Sequence, residues 1–478
     1  MPLQHSQAGK TMVSLSLAAV LVAGSGVAVA HASGFDVAKK PLDLGHTDVP
    51  MTIAQSEYIA HQLRPVPYKV KLKKAAHPAM PNWVKSDLPD DPFMRDDALH
   101  YVRKGYKQGQ VIRKRKSLWS QAYYPGSRSI QYAFVSYDSR GYPMTATATL
   151  VVPPHAKPNA SVLQWNQFIN SSGPKCKVTT QLNQPNSWGI VNNPIQMMVA
   201  ALLLGHPVLL TDAEGPRNSY AINRLASHVL LDSMRMVHQQ KDFPLHKSHF
   251  VALGVSHGGL QTGYAAAEQP YYAPELTSYI DQFIVNEGAP DFIKLAHSMG
   301  LYGDLSAAPS PYGGFLVSFL IGAIREYPDI VPRMDYWLTS YGKALIAANR
   351  NVCMPFTLAA GGAGMMRYIV KDGFFRSQTF KDMMQIAKDS SSFYYPGNPK
   401  VPTLLIHGKL DEILYQADQD KALWQRYCQA GTNTVYQQVP LSGHFITPGV
   451  SFPRMVIQSL LSLNGVHQIP MCKVPVIL

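Results

Sequence analysis

The chain has 478 residues, 46% hydrophobic and 15% charged, a balance that excludes a disordered protein and allows a large buried core. The formal charge of +13 points to anionic surroundings such as membrane headgroups or cell-envelope polymers. Basic residues are scattered apart from Arg113-Lys114-Arg115-Lys116, and no nucleic-acid motif accompanies them, so a solvated basic surface is the plainer account and nucleic acid is not expected as a partner.

Lys10 precedes an apolar run from Met12 to Ala23, which breaks at Gly24-Ser25-Gly26 and is followed by the small residues Ala28, Ala30 and Ala32 at cleavage-site spacing. The run is too short to span a bilayer comfortably. Residues 1–32 are therefore expected to be a cleaved signal peptide, and the mature protein to be secreted or periplasmic. Residues 33–90, rich in Pro, Lys and His with weak periodicity, read as an extension that packs on the main body or dangles, with no readable function. The four cysteines, Cys176, Cys353, Cys428 and Cys472, read as two disulfides in an exported protein, with three connectivities open. No cluster of metal-ligand spacing appears, so neither a metal nor another cofactor is expected.

Organised structure begins near Asp91-Pro92-Phe93, with a short helix expected between Arg95 and Tyr106. Ser129 to Ser136 and Pro143 to Pro153 read as two strands joined by the turn chemistry of Asp138-Ser139-Arg140-Gly141, hence an antiparallel hairpin. Short apolar strands then alternate with helical segments: Ser161 to Phe168, Pro207 to Thr211, His249 to Leu253, Tyr279 to Val285, Val401 to Ile406 and Thr434 to Val439. This alternation predicts an α/β fold with a mostly parallel central sheet and helices on both faces; a hairpin feeding such a sheet is the entry to the α/β-hydrolase fold. Between about 291 and 400 the alternation lapses into apolar helical segments, with Leu316, Phe319, Leu320, Ala323 and Ile324 at helical spacing and Met354, Phe356, Met365, Met366, Phe374, Phe375, Met383 and Met384 beyond them. The expected organisation is a core at 91–290 and 401–478 interrupted by a helical cap at 291–400.

The chemistry centres on Gly254-Val255-Ser256-His257-Gly258, placed between a buried strand and a small-residue helix. A serine on a sharp strand-to-helix turn has strained dihedrals, so its neighbours two before and two after must be tiny, and Gly254 and Gly258 are. Ser256 is the expected nucleophile. A serine hydroxyl needs an imidazole base oriented by a buried carboxylate, and in this fold the chain order is Ser, acid, His. Asp411, just past the strand ending at Ile406, is the expected acid; a helix cap is its alternative role, and Glu412 is the nearest competitor. His444, after the last strand and beside Gly443, is the expected base, and His407 reads as a packed neighbour. The oxyanion donors are expected to be the backbone N–H of His257 and a residue of the loop after Phe168, Asn170 rather than Ser171.

Asp91-Pro92-Phe93, Asp138-x-x-Gly141, the segment Gly205-His206-Pro207-Val208-Leu209-Leu210-Thr211-Asp212-Ala213-Glu214-Gly215-Pro216, the elbow around Ser256 and Gly443-His444 together resemble the secretory lipases of lipase A type, over about residues 91 to 465. His257 after the nucleophile, and Asn170 where members often carry an acid, depart from that pattern. The resemblance implies hydrolysis of carboxylic, often lipid, esters beneath a helical cap. With the chain order, it also favours pairing Cys176 with Cys353 and Cys428 with Cys472. The expected function is thus a secreted serine ester hydrolase, lipase or esterase, acting through an acyl-enzyme on Ser256. A serine peptidase or acyltransferase on the same fold is the alternative, and a non-catalytic binding module is a more distant one.

Overall fold

Strands apolar on both faces belong inside a sheet covered by helices on both sides, and the computed structural model of the chain is built that way. It describes residues 53–87, 91–117, 125–168, 172–183, 195–298, 313–353 and 366–477. The expected signal peptide, Asn170, Ser171, Met354, Phe356 and Met365 lie outside the described residues.

The strands are β1 (Val111–Lys116), β2 (Arg128–Tyr137), β3 (Pro143–Val152), β4 (Val162–Asn166), β5 (Val208–Thr211), β6 (Phe250–Val255), β7 (Ile280–Asn286), β8 (Thr403–Gly408), β9 (Thr434–Val439) and β10 (Met471–Ile477). They form one sheet in the order β1-β2-β3-β5-β4-β6-β7-β8-β9-β10. β1, β2, β3 and β5 pair antiparallel, and every pairing from β5 to β10 is parallel. The crossing of β4 and β5 brings the loops after β4 and β6 together, because β4 and β6 pair through Asn166 and Gly254. In β6, Phe250 and Ala252 enter the core on one face while Val251 and Leu253 enter the core on the other, the period-two signature of a strand covered twice.

The helices used below are α1 (Ile53–Gln62), α2 (Asn223–Gln239), α3 (His257–Tyr272), α4 (Phe292–Ser298), α5 (Gly313–Glu326), α6 (Ser340–Asn349), α7 (Gln378–Asp389), α8 (Ala417–Gln429) and α9 (Thr447–Leu463). α2 and α3 pack on one another, locked by the buried pair Arg224 Nε to Glu268 Oε1 at 2.7 Å. Between β7 and β8 no strand occurs among the described residues, only helices and the isolated bridge Leu338 to Val370. Disulfides join Cys176 to Cys353 and Cys428 to Cys472, with Cα separations of 5.5 and 5.6 Å. The second ties α8 to β10.

Three elements go beyond what the sequence specified. The weakly periodic extension contains α1 and is packed on the body: Lys388 of α7 donates to the Ala60 carbonyl at 2.7 Å, and Lys73 donates its N–H to Gly141 at 2.7 Å. The basic run at 113–116 is the edge strand β1. Arg113 and Arg115 lie on one side, two residues apart, and pair with Asp97 and Asp91 at 2.7 and 2.9 Å, while Lys114 pairs with Asp242 at 2.5 Å. Charge on an exposed strand also discourages edge-to-edge association. Finally, β10 extends the sheet beyond β9, the strand expected to be last.

Candidate active site

Ser256 stands between β6 and α3 with φ 53° and ψ −118°, left-handed backbone that a residue with a side chain adopts only under constraint. The turn closes because its flanking positions lack side chains. A Cβ on Gly254 would collide with the Gly258 carbonyl, and one on Gly258 with the Asn166 carbonyl of β4. The Ser256 N–H donates to Asn286 O at 2.9 Å, which holds the turn against the end of β7.

Ser256 Oγ lies 2.9 Å from His444 Nε2, and His444 Nδ1 lies 2.9 Å from Asp411 Oδ2. Asp411 also carries out the capping role considered for it: Oδ1 accepts from the N–H groups of Ile413 and Leu414 at 2.9 and 2.7 Å. One carboxylate oxygen thus fixes the loop while the other faces the imidazole. Burial works against the Asp411 charge, but hydrogen bonds from His407 and His444 more than offset it and hold the carboxyl well below its ordinary range. Glu412 holds the histidine loop instead, its Oε2 accepting the His444 N–H at 2.8 Å. A Cβ on Gly443 would meet that carboxylate, so a side chain there would displace Glu412 from the His444 N–H.

His257 opens α3, directing its backbone N–H to the side where the helix dipole favours negative charge. Its ring packs on Tyr220 with centroids 4.2 Å apart, and Nδ1 lies 3.6 Å from Glu214 Oε1. Glu214 belongs to the Thr211-to-Pro216 segment that carries the resemblance. Burial pushes its carboxyl well above the ordinary value, against Lys177 and Arg325. Asp212 of the same segment accepts from Thr147 Oγ1 at 2.5 Å and from Thr179 Oγ1, pinning the segment to β3.

A cavity opens over Ser256 and His444, walled by Leu260, Phe292, Phe315, Phe319, Ile413 and Leu414 among others. α4 and α5 supply much of this wall. Two acids around His407 were not singled out from sequence: Glu287, the residue after β7, and Asp420 on α8. His407 Nδ1 lies 2.6 Å from Asp420 Oδ2, and Nε2 lies 3.1 Å from Asp411 Oδ2 and 3.3 Å from Glu287 Oε2. The signal was available for Glu287, since a carboxylate just past a strand's carboxyl end is the pattern that picked out Asp411.

A strained serine after a parallel strand, hydrogen-bonded to an imidazole under an apolar cavity, defines a serine hydrolase of the α/β-hydrolase fold. The secretory lipase profile matches residues 190–457, and the chain belongs to that family, whose members hydrolyse carboxylic esters. Lipase 1 of Candida albicans is 26% identical over 424 residues, covering 83% of this chain and 84% of its own. A secreted triacylglycerol lipase of Malassezia restricta is 26% identical over 399 residues, covering 78% and 79%. Among solved structures, Candida antarctica lipase A in its closed state superposes with a TM-score of 0.72 at 18% identity, over 84% of this chain and 91% of that one. A rice cell wall degrading esterase from Xanthomonas oryzae superposes at 0.52 with 14% identity, over 76% and 98%. At these identities the structural likenesses establish the fold.

Proposed function

We propose that this chain hydrolyses lipid esters through an acyl-enzyme on Ser256, with His444 as general base and then acid, and Asp411 as the carboxylate that orients it. The observation that carries this reading is the pair of 2.9 Å contacts linking Ser256, His444 and Asp411 at the floor of an apolar cavity. Ser256 Oγ attacks the ester carbonyl as its proton passes to His444 Nε2. The imidazolium is stabilised by Asp411 and returns the proton to the leaving alcohol; water then repeats the sequence on the acyl-enzyme. Developing negative charge falls to the His257 N–H at the start of α3, with Asn170 as the second donor. The apolar cavity wall favours an acyl chain, and the family's triacylglycerol lipases support a lipid ester as its source.

The segment 291–400 acts as a cap over the cavity, which its residues Phe292, Phe315 and Phe319 support. Residues 1–32 act as a secretion signal, a reading supported by secreted relatives and by two disulfides. Leu410, Tyr415, Leu441, Phe445 and Ile446 are exposed on the two loops carrying Asp411 and His444, and with the +13 charge they favour contact with an anionic lipid surface. Hydrolysis of p-nitrophenyl esters across chain lengths, compared between the wild type and Ser256→Ala, tests the central claim. Retention of wild-type turnover by the variant overturns it.

A further inference from the structure

Behind Asp411 lies a layer of buried titratable groups that the Ser256–His444–Asp411 relay leaves unused. Glu287 follows β7 with φ 51° and is 0% exposed. Its Oε1 accepts the Gly408 N–H at 3.0 Å, which fixes the carboxyl against the end of β8. The carboxyl hydrogen-bonds the Asp411 side chain, and its Oε2 lies 3.3 Å from His407 Nε2 and 3.8 Å from His444 Nδ1, against 2.9 Å for Asp411 Oδ2. One imidazole nitrogen therefore faces two carboxyl groups from two neighbouring strands, one in contact and one less than an ångström further out. The groups around Glu287 are His407 on β8, Asp411 after β8, Asp420 on α8, and His444 with Thr447 after β9. Left-handed backbone at a glutamate is uncommon. Here it turns the side chain back under the site.

Charge arithmetic sets the roles. Burial above all, with the hydrogen bond to Asp411 and its charge, pushes Glu287 well above the ordinary carboxyl value against the His407 cation, and so favours the neutral acid. His407 is driven the other way: burial opposes its charge, yet Glu287, Asp411 and Asp420 hold it protonated. Remove the Asp411 carboxylate and what it adds to burial in favouring the neutral acid is gone, while the His407 cation remains 3.3 Å away and favours the carboxylate. The loss that vacates Nδ1 of His444 is the same loss that makes Glu287 easier to ionise.

We infer that Glu287 is a second positioning acid for His444: it braces Asp411 in the intact enzyme, and its Oε2 takes over Nδ1 when Asp411 is lost. This rests on the serine mechanism above. The experiment measures kcat, KM and thermal midpoint across pH for the wild type, Glu287→Gln, Asp411→Ala and the double variant, with Ser256→Ala as blank. Asp411→Ala should lose about 100- to 1,000-fold in kcat, less than an imidazole left without any acid would lose. Glu287→Gln alone should lose no more than about tenfold, and the double variant should fall at least about tenfold below the product of the two single effects. The residual kcat of Asp411→Ala should climb with pH as Glu287 ionises, with KM steady, and that climb should vanish in the double variant. A merely structural Glu287 would lower kcat equally in both backgrounds and leave the pH profile in place, and this outcome overturns the inference. If Asp411→Ala fails to fold, Asp411→Ser in both backgrounds makes the same comparison, since its shorter side chain also vacates Nδ1 while a hydroxyl can still cap the N–H groups of Ile413 and Leu414. A Ser256→Ala blank as active as the wild type would instead remove the serine mechanism itself.

Discussion

Two buried clusters in this molecule have nearly the same composition and opposite fates. In the first, the Arg217 guanidinium lies 2.9 Å from both Asp138 and Glu326, joining the β2–β3 hairpin turn to the end of α5. His77, from the segment before β1, closes it, its Nε2 2.9 Å from the Glu326 carbonyl. In the second, His407 lies among Asp411, Asp420 and Glu287, and the cluster ends on His444, which opens into the cavity. The difference is where each cluster ends. A guanidinium stays charged at every working pH and presents fixed donors, so it locks elements together. Burial opposes the Arg217 charge, but Glu326, Asp138 and Asp96 outweigh it and raise its pKa further. The acids around His407 hold that imidazole protonated too, but their cluster ends on a second imidazole, His444, whose Nε2 lies 2.9 Å from Ser256 Oγ, so there the acids serve a proton transfer instead of merely holding a hairpin.

That contrast can be broken from either side. The largest expected effect is at the open cluster: Ser256→Ala and His444→Ala should each cut kcat by roughly 10,000- to 1,000,000-fold with the thermal midpoint little changed, because the relay acts as a unit. Steady-state kinetics beside thermal denaturation checks both halves. At the closed cluster the split should invert. Arg217→Met strands two buried carboxyl groups and should cost about 3 to 5 kcal/mol of stability, while kcat per folded molecule stays near wild type. Urea unfolding with active-site titration of the folded fraction decides it; a loss of kcat with intact stability would mean that this cluster also serves the site.

Smaller effects sharpen the picture. Replacing Cys428 and Cys472 by Ser opens a loop spanning 44 residues that contains His444, and should cost roughly 2 to 4 kcal/mol. The shift in denaturation midpoint reports it. Phe319→Ala in α5 removes part of the cavity wall and should alter the preference between short and long acyl esters by about 1 to 3 kcal/mol, read as a ratio of kcat/KM values. Unchanged selectivity would assign Phe319 to packing.

The smallest effect is on acid stability. Burial of Glu268 would raise its pKa, but Arg224 and His228 overturn this and hold it at about 2, below the ordinary 4.5. A carboxyl depressed in the folded state stabilises it above the unfolded pKa and loses that contribution as pH falls through the folded one. The pair between α2 and α3 should therefore weaken between pH 4.5 and about 2, and the stability of Glu268→Gln should fall less steeply over that window.

What the amino-acid sequence determined by itself is whatever a few adjacent residues constrain. Gly254 and Gly258 declare the elbow because the turn cannot close with side chains there. The strand ends before Ser256, Asp411 and His444 are visible as short apolar runs followed by turn chemistry. The tertiary structure alone decided the rest, because it depends on which strands become neighbours. β7 pairs with β8, so Glu287 meets His407, 120 positions away in the chain, and reaches the rear of His444. Glu412 finds its partner, the His444 N–H, only once the loop after β9 lies beside it. The basic run at 113–116 reads as solvated surface until β2 pairs with it and Asp91 and Asp97 arrive from the preceding loop. Local backbone strain is written in adjacent letters; a carboxyl's ionisation and partner are written in the strand order, which brings distant charges within a few ångströms where water no longer screens them.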